Sequence, residues 1–273
     1  MMSMVINTNI ASVNAVRLLD QSSREMAVSM ERLTSGLRIN RTADDAAGKA
    51  VVTAMTAQIR GTDMAIRNVN DGISLVQTVD GAAEETVNML YRIRELAVQS
   101  ANETYNSAQR SQMNIEVSQL RIEINRIAST TKFNGVKLMA SSNVISIHAG
   151  WETASQNTLK ISLKSMNASA LGVSGRILTQ ASALGVMSQV DVALKSVAKT
   201  RASFGAMQNR MEYTISNLQN VNENIMAARS RIMDADYAAE SANLARTQVL
   251  QQAGMSMLSQ ANQMTSSVLS LLQ

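Results

Sequence analysis

The 273-residue chain has no cysteine, no proline and a single histidine, and aromatic side chains fill only 3% of its positions. Without cysteine there is no disulfide, no thiolate nucleophile and no sulfur-ligated metal. His148 by itself cannot supply the imidazole cluster of a typical zinc centre, so no metal and no other cofactor is expected. A chain free of helix-breaking proline, with 19 methionines and few rings for its core, suits long helices better than a compact sheet. No apolar run approaches the roughly 18 residues of a spanning helix, which predicts no membrane insertion. The first residues also lack a basic stretch followed by an apolar one, so any export is expected to avoid the cleaved-signal route.

Charge is missing locally. Every Asp, Glu, Lys and Arg lies between Arg17 and Arg246, leaving residues 1–16 and 247–273 bare. These tails are too polar for lipid, yet their apolar residues recur at helical spacing, which predicts burial against protein. At the C-terminal end Thr247, Gly254, Ala261 and Val268 form one row, and Leu250, Met257, Met264 and Leu271 form another. At the N-terminal end Val16, Leu19, Met26, Met30, Leu33 and Leu37 step by threes and fours, with Ser23 at the gap. Isolated helices of this length are marginal in water and these have no ion pairs, so assembly is expected to order them.

The net charge of +4 raises nucleic acid as a partner. The basic residues Arg32, Arg38, Arg41, Lys49, Arg60 and Arg67 are dispersed among acids and not interleaved with stacking rings. They read as a solvated face, and no nucleic-acid binding is expected.

Between the tails the pattern is helical. From Val52 to Ala97 one row runs Val52, Ile59, Ile66, Ile73, Asp80, Val87, Arg94, and the other Met55, Thr62, Val69, Val76, Ala83, Leu90, Ala97. Such a helix would span about 70 Å, which predicts a rod. A second stripe follows Thr104 through Met113, Val117, Leu120, Ile124 and Ile127. A third runs Val190, Leu194, Val197, Phe204, Met211, Ile215, Leu218, Ile225 and Ile232, with Arg201, Gln208, Asn222 and Arg229 as polar, register-setting members. Between the second and third stripes the period falls to two: Leu159, Ile161 and Leu163 alternate with Lys160, Ser162 and Lys164, predicting a hairpin with residues 144–148. The fold class expected is mainly α, a long antiparallel helical bundle with a small β-hairpin at about 140–165 and paired terminal helices. The hexapeptide Ala-Ser-Ala-Leu-Gly-Val occurs at residues 168–173 and again at 181–186, too little for a repeat architecture.

Nothing reads as catalytic. Asp44-Asp45 and Glu84-Glu85 are adjacent pairs whose side chains diverge, and they serve as caps or solvated groups. His148 has no partner constellation. Gly72 and Gly81 stand alone in a helical pattern and read as sites of close packing.

Several long runs resemble bacterial flagellins. They are Ile6-Asn7-Thr8-Asn9, Glu31-Arg32-Leu33-Thr34-Ser35-Gly36-Leu37-Arg38-Ile39-Asn40, Asp44-Asp45-Ala46-Ala47-Gly48, Asn70-Asp71-Gly72-Ile73-Ser74, Arg92-Ile93-Arg94-Glu95-Leu96-Ala97-Val98-Gln99-Ser100-Ala101, Phe133-Asn134-Gly135, Ala228-Arg229-Ser230-Arg231-Ile232, Asp234-Ala235-Asp236-Tyr237, Gln251-Gln252-Ala253-Gly254 and Val268-Leu269-Ser270-Leu271-Leu272. The resemblance implies an extracellular filament subunit for swimming or swarming that is not an enzyme. It is secreted unfolded through the flagellar type III channel, and its partners are further copies of itself, an export chaperone, and cap and junction proteins.

It further implies an inner domain of residues 1–43 plus 233–273 and a rod-like domain of residues 44–232. The Val16 to Leu37 and Leu250 to Leu271 seam residues would then lie inside the filament. Gly36 would break the first helix, and Thr42 or Asp44 would cap the next. Arg92, Leu96 and Glu116 match the segment that Toll-like receptor 5 recognises in enteric flagellins, a surface that also serves subunit contact. No room remains after Val173 for large outer domains, which predicts a thin, smooth filament. The proline usual near the family's C-terminus is absent around Gln263 and Met264, so the last helix is expected to run on. A hook-filament junction protein of the same architecture is the alternative.

Overall fold

The computed structural model describes residues 9–270, with side chains described as far as Gln263. The first residues of the Ile6 motif, the Met264 side chain, Val268 and Leu271 therefore lie outside the described part. Five helices dominate: α1 (Ile10–Ser35), α2 (Ala46–Ala101), α3 (Ser107–Thr130), α4 (Gln180–Met233) and α5 (Tyr237–Ser270). Between α3 and α4 come β1 (Lys132–Phe133), β2 (Val136–Lys137), β3 (Asn143–His148) and β4 (Thr158–Leu163). α5 continues through Gln263 without a break, as a segment lacking proline allows.

The chain divides into two compact units, residues 1–57 with 224–273, and residues 58–223. The divisions fall inside α2 and α4. The helix breaks, in contrast, lie at residues 36–45 and 234–236, beside the boundaries expected at 43 and 233.

In the second unit α2, α3 and α4 run antiparallel around one apolar core. Of the two rows expected on α2, Thr62, Val69, Val76, Ala83, Leu90 and Ala97 are buried. The companion row holds for Val52 and Ile59, both buried, and from there lies one residue earlier than expected. Ala65, Gly72, Val79, Thr86, Ile93 and Ser100 are buried, whereas Ile66, Ile73, Asp80 and Val87 are half-exposed and Arg94 is exposed. Small and hydroxylated residues hid this row from a reading of apolar letters. They sit inside because something approaches closely: a Cβ on Gly72 would meet the Ile147 Cδ1 atom of β3. Gly81, by contrast, has open space around its would-be Cβ, so it is not a packing glycine.

α3 starts with a capping box in which Asn106 and Gln109 each bond the other's backbone amide, and it buries Val117, Ile124 and Ala128. On α4 the core positions include Val190, Val197, Phe204 and Met211. Of the polar members expected on that helix, Arg201 grips Asp80 through Nε at 2.7 Å and Nη2 at 3.1 Å. Asn222 donates to Asp63 Oδ1 at 2.6 Å. Both tie α4 to α2 at a set register.

β3 and β4 pair antiparallel with Ser146 opposite Lys160, burying Leu159, Ile161 and Leu163, as the alternation predicts. A second hairpin, β1–β2, was not anticipated from periodicity because its strands are two residues long. Its Asn134-Gly135 turn has positive φ at both positions, 46° and 80°, the combination such a two-residue turn demands.

Candidate functional site

The bare ends of the chain meet in the first unit, where α1 and α5 pack along one another antiparallel. α1 begins at Asn9, whose carboxamide oxygen accepts the Ser12 amide, and ends at Gly36, whose φ of 72° closes the last turn. Asn9 Nδ2 also donates to the Ala261 carbonyl at 3.0 Å near one end of the pair, while Arg32 pairs with Glu240 at 3.3 Å near the other.

The face that α1 turns to α5 carries Ser12, Ala15, Leu19, Ser22, Met26, Ser29 and Leu33 in an unbroken heptad. Ser22 and Ser29 are buried, and the Ser22 hydroxyl is satisfied by the Leu19 carbonyl at 2.9 Å. From α5 the row Glu240, Thr247, Gly254 and Ala261 faces back, flanked by Leu244, Gln251 and Leu258. A Cβ on Gly254 would stand 2.9 Å from Leu19 Cδ1, so the two backbones approach at that point. Gln251 reaches the Ser23 hydroxyl at 3.4 Å.

Leu19, Met26, Leu33 and Leu37 are thus half-buried within the subunit. Val16, Met30, Leu250 and Met257 point away from the pair and are exposed, Met257 at 65%. With Ile10, Val13, Leu18, Val249 and Met255 they give the two helices an exposed apolar surface, free of charge before Arg17 and after Arg246, that no described residue of the subunit covers. Sequence reasoning missed Ser22, Ser29, Glu240, Leu244 and Leu258. The available signal was the seven-residue spacing of small residues, Ala15 to Ser22 to Ser29.

Residues 36–45 bring the chain from α1 into α2. Arg38 N–H donates to the Met233 carbonyl at 2.7 Å, Ala235 N–H to Gly36 at 3.0 Å, and the Arg38 guanidinium to Ile232 at 2.7 Å. The Asp44 carboxylate accepts the amides of Arg41 at 2.8 Å and Asn40 at 3.0 Å. The Arg41 amide foremost, then the Asn40 amide and the charges of Arg32 and Arg41, hold the Asp44 carboxyl below its ordinary pKa. The cap expected from Thr42 or Asp44 comes instead from Asp45, whose carboxylate takes the Gly48 amide at 2.8 Å.

The second predicted site divides. Arg92 Nε bonds Glu116 at 2.7 Å across α2 and α3, and Nη1 bonds Glu95 at 3.1 Å, both at the surface. Glu116 first, then Glu95, raise the Arg92 guanidinium above its ordinary pKa. Leu96, at 3% exposure, does not reach that surface, because the 40° of rotation left over after four residues carries it into the buried stripe. Among the described residues no cluster of His, Asp or Glu could hold a metal, and no helix is long and apolar enough to cross a membrane.

Residues 6–144 match the model of the bacterial flagellin N-terminal helical region, and residues 187–272 match that of the C-terminal helical region. The chain is 43% identical to a flagellin of Halalkalibacterium halodurans over 99% of its own length and 100% of that protein. It is 40% identical to the flagellar filament 33 kDa core protein of Treponema phagedenis, over 99% of this chain and 100% of the other. A putative flagellar hook-associated protein from Vibrio parahaemolyticus shares the fold, with a TM-score of 0.59 at 12% identity over 70% of this chain and 100% of that one.

Proposed function

This chain belongs to the bacterial flagellin family, and we propose that its paired terminal helices form the joint through which subunits build the filament. The protein is a structural subunit of the flagellar filament, and the family is not one of enzymes. The hook-filament junction alternative is not favoured, because full-length relatives are named as flagellins and filament core proteins.

The observation that carries the assembly reading is the exposed apolar surface of α1 and α5, with Val16, Met30, Leu250 and Met257 among its residues, on helices whose outer ends carry no charge. Burying each such side chain contributes about 1.5–3 kcal/mol before ordering costs, so further copies of this chain would cover them favourably. In that reading residues 1–43 and 233–273 form the inner domain and residues 44–232 the other. Met264 and Leu271 continue the Leu250 and Met257 row in sequence, outside the described side chains. Contacts between identical subunits that do not close on themselves give an open helical polymer.

The filament lies outside the cell, reached by export of an unfolded chain through the flagellar channel. A cytoplasmic chaperone covers the C-terminal helix beforehand, and cap and junction proteins meet the subunit at the filament's ends. Seeding tests the assembly reading directly. Purified subunits added to filament fragments should elongate into long filaments by electron microscopy, and subunits lacking residues 254–273 should not. Equal elongation by the truncated chain would remove the terminal helices from assembly.

Toll-like receptor 5 is the proposed partner of the Arg92–Glu116 surface, with the buried Leu96 supporting it from below. Arg92→Ala should abolish activation of receptor-bearing cells while leaving the thermal melt unchanged. Undiminished activation would refute the assignment.

A further inference from the structure

The chain's positive charge has one address. Residues 131–200 hold seven basic residues against two acidic ones, a surplus of five in a chain whose whole surplus is four. Six of its seven lysines lie there: Lys132, Lys137, Lys160, Lys164, Lys195 and Lys199. All six are exposed.

Among the described residues every ion pair is made by an arginine, at Arg32, Arg41, Arg92, Arg94, Arg126 and Arg201. None of those six lysines has an ion-pair or hydrogen-bond partner for its ammonium group. Lys132 and Lys137 even stand directly opposite one another in the β1–β2 register, a like-charge placement that costs stability. Arginine therefore makes the ion pairs among the described residues, and these six lysines are left free.

A half-open cavity of about 230 Å³ lies within this region, lined by Lys164, Ser142 and Ser165 on one side and by Ser196 and Thr200 of α4 on the other. The Ser165 and Thr200 hydroxyls are spent on carbonyls, of Ala140 at 3.2 Å and Ser196 at 3.0 Å. Ser142 Oγ only accepts, from the Ser165 amide at 3.4 Å, and Ser196 Oγ makes no bond, so both hydroxyl protons are free. Lys199 neighbours Thr200 on α4, and Lys160 stands four residues from Lys164 on the outward face of β4. The cavity thus combines the Ser142 and Ser196 hydroxyls with Lys164, over a floor that also includes Met166, Leu171 and Val197, and two more unpaired lysines lie one to four residues along the chain from its lining.

We propose that this face binds an anionic polysaccharide through its tetrahedral oxyanion esters, sulfate or phosphate, with one ester seated between Lys164, Ser142 and Ser196. Donors converging from several directions suit a tetrahedral group better than a planar carboxylate. The exposed ring in the segment is Trp151, which packs against Gly61 of α2 and is not among the cavity's lining, and a single ring is no stacking platform for a nucleic acid. The surface is independent of the filament role.

The test uses the full-length subunit on immobilised heparin, on poly(glycerol phosphate) and on polygalacturonate. The subunit should be retained on heparin or poly(glycerol phosphate) in a salt-dependent manner, the stronger arm naming the ester, with at least tenfold weaker binding to the carboxylate polymer. The triple variant Lys160→Gln, Lys164→Gln, Lys199→Gln should weaken retention at least tenfold. Arg24→Gln, Arg60→Gln, Arg67→Gln, with the same change in net charge, should alter it less than twofold. Ser142→Ala with Ser196→Ala should erase the preference for esters over carboxylates. Equal losses in the two triple variants would reduce the effect to net charge and overturn the proposal. So would equal affinity for polygalacturonate, or tighter binding of single-stranded DNA than of either ester polymer.

Discussion

The α1–α5 pair and the apolar core of the second unit bury different kinds of residue most deeply. In residues 58–223 the helices close on Val69, Val76, Leu90, Ile93 and Phe204, all almost fully buried. In the α1–α5 pair the most deeply buried side chains are Ser22, Ser29, Glu240 and Thr247, while Val13, Val16, Leu250 and Met257 face outwards. A core of the first kind takes its apolar side chains out of water within the subunit. A seam of serine, threonine and glycine, flanked by the half-buried Leu19, Met26, Leu33, Leu244 and Leu258, lets two backbones come close but removes less apolar surface from water, so further stabilisation is left for whatever covers the exterior. The difference separates a finished fold from one completed by association.

Mutations should break the contrast in a graded way. Leu90→Ala deletes a fully buried side chain and should cost the second unit about 2–5 kcal/mol in urea unfolding. Gly254→Leu pushes against Leu19 and should cost about 1–3 kcal/mol, seen as faster amide exchange confined to α1 and α5. An unchanged exchange pattern would mean that the pair does not close at Gly254.

The smallest expected effect is at Asp44. Its carboxyl has a lowered pKa in the fold, so the unfolded chain takes up the proton first as pH falls. The contribution of this group is therefore present above the ordinary carboxylate range near 3.9 and is lost as pH drops through the lower, folded value. Amide shifts of Asn40 and Arg41 should follow that titration, and Asp44→Asn should flatten it. Titration at the ordinary value would show that the two amides do not hold the carboxylate.

Much of this was legible beforehand. The helices, the β3–β4 hairpin, the family and one buried row of α2 all follow from periodicity and from motifs many residues long. What escaped was where small residues face. Ala65, Gly72 and Ser100 look neutral as letters, and so do Ser22 and Ser29, yet they mark the closest approaches. Leu96 looked like a contact residue on its motif, but a helix's rotation is absolute only once its buried stripe is known.

The repeated hexapeptide makes the division plain. At residues 168–173 Ala-Ser-Ala-Leu-Gly-Val forms a turn, with Gly172 at φ 72° and both Leu171 and Val173 buried. At residues 181–186 the same letters are a helix whose Gly185 has open space around it and whose leucine, Leu184, is 53% exposed. By itself the sequence determined that this protein is built of long uninterrupted helices with charge-free ends, because proline, charge and hydrophobic period act locally. Only the tertiary structure decided which face of each helix is inside, that the ends pair through small residues, and that Lys164 lines a cavity with serines of two distant segments, because those outcomes depend on what approaches from elsewhere in the chain.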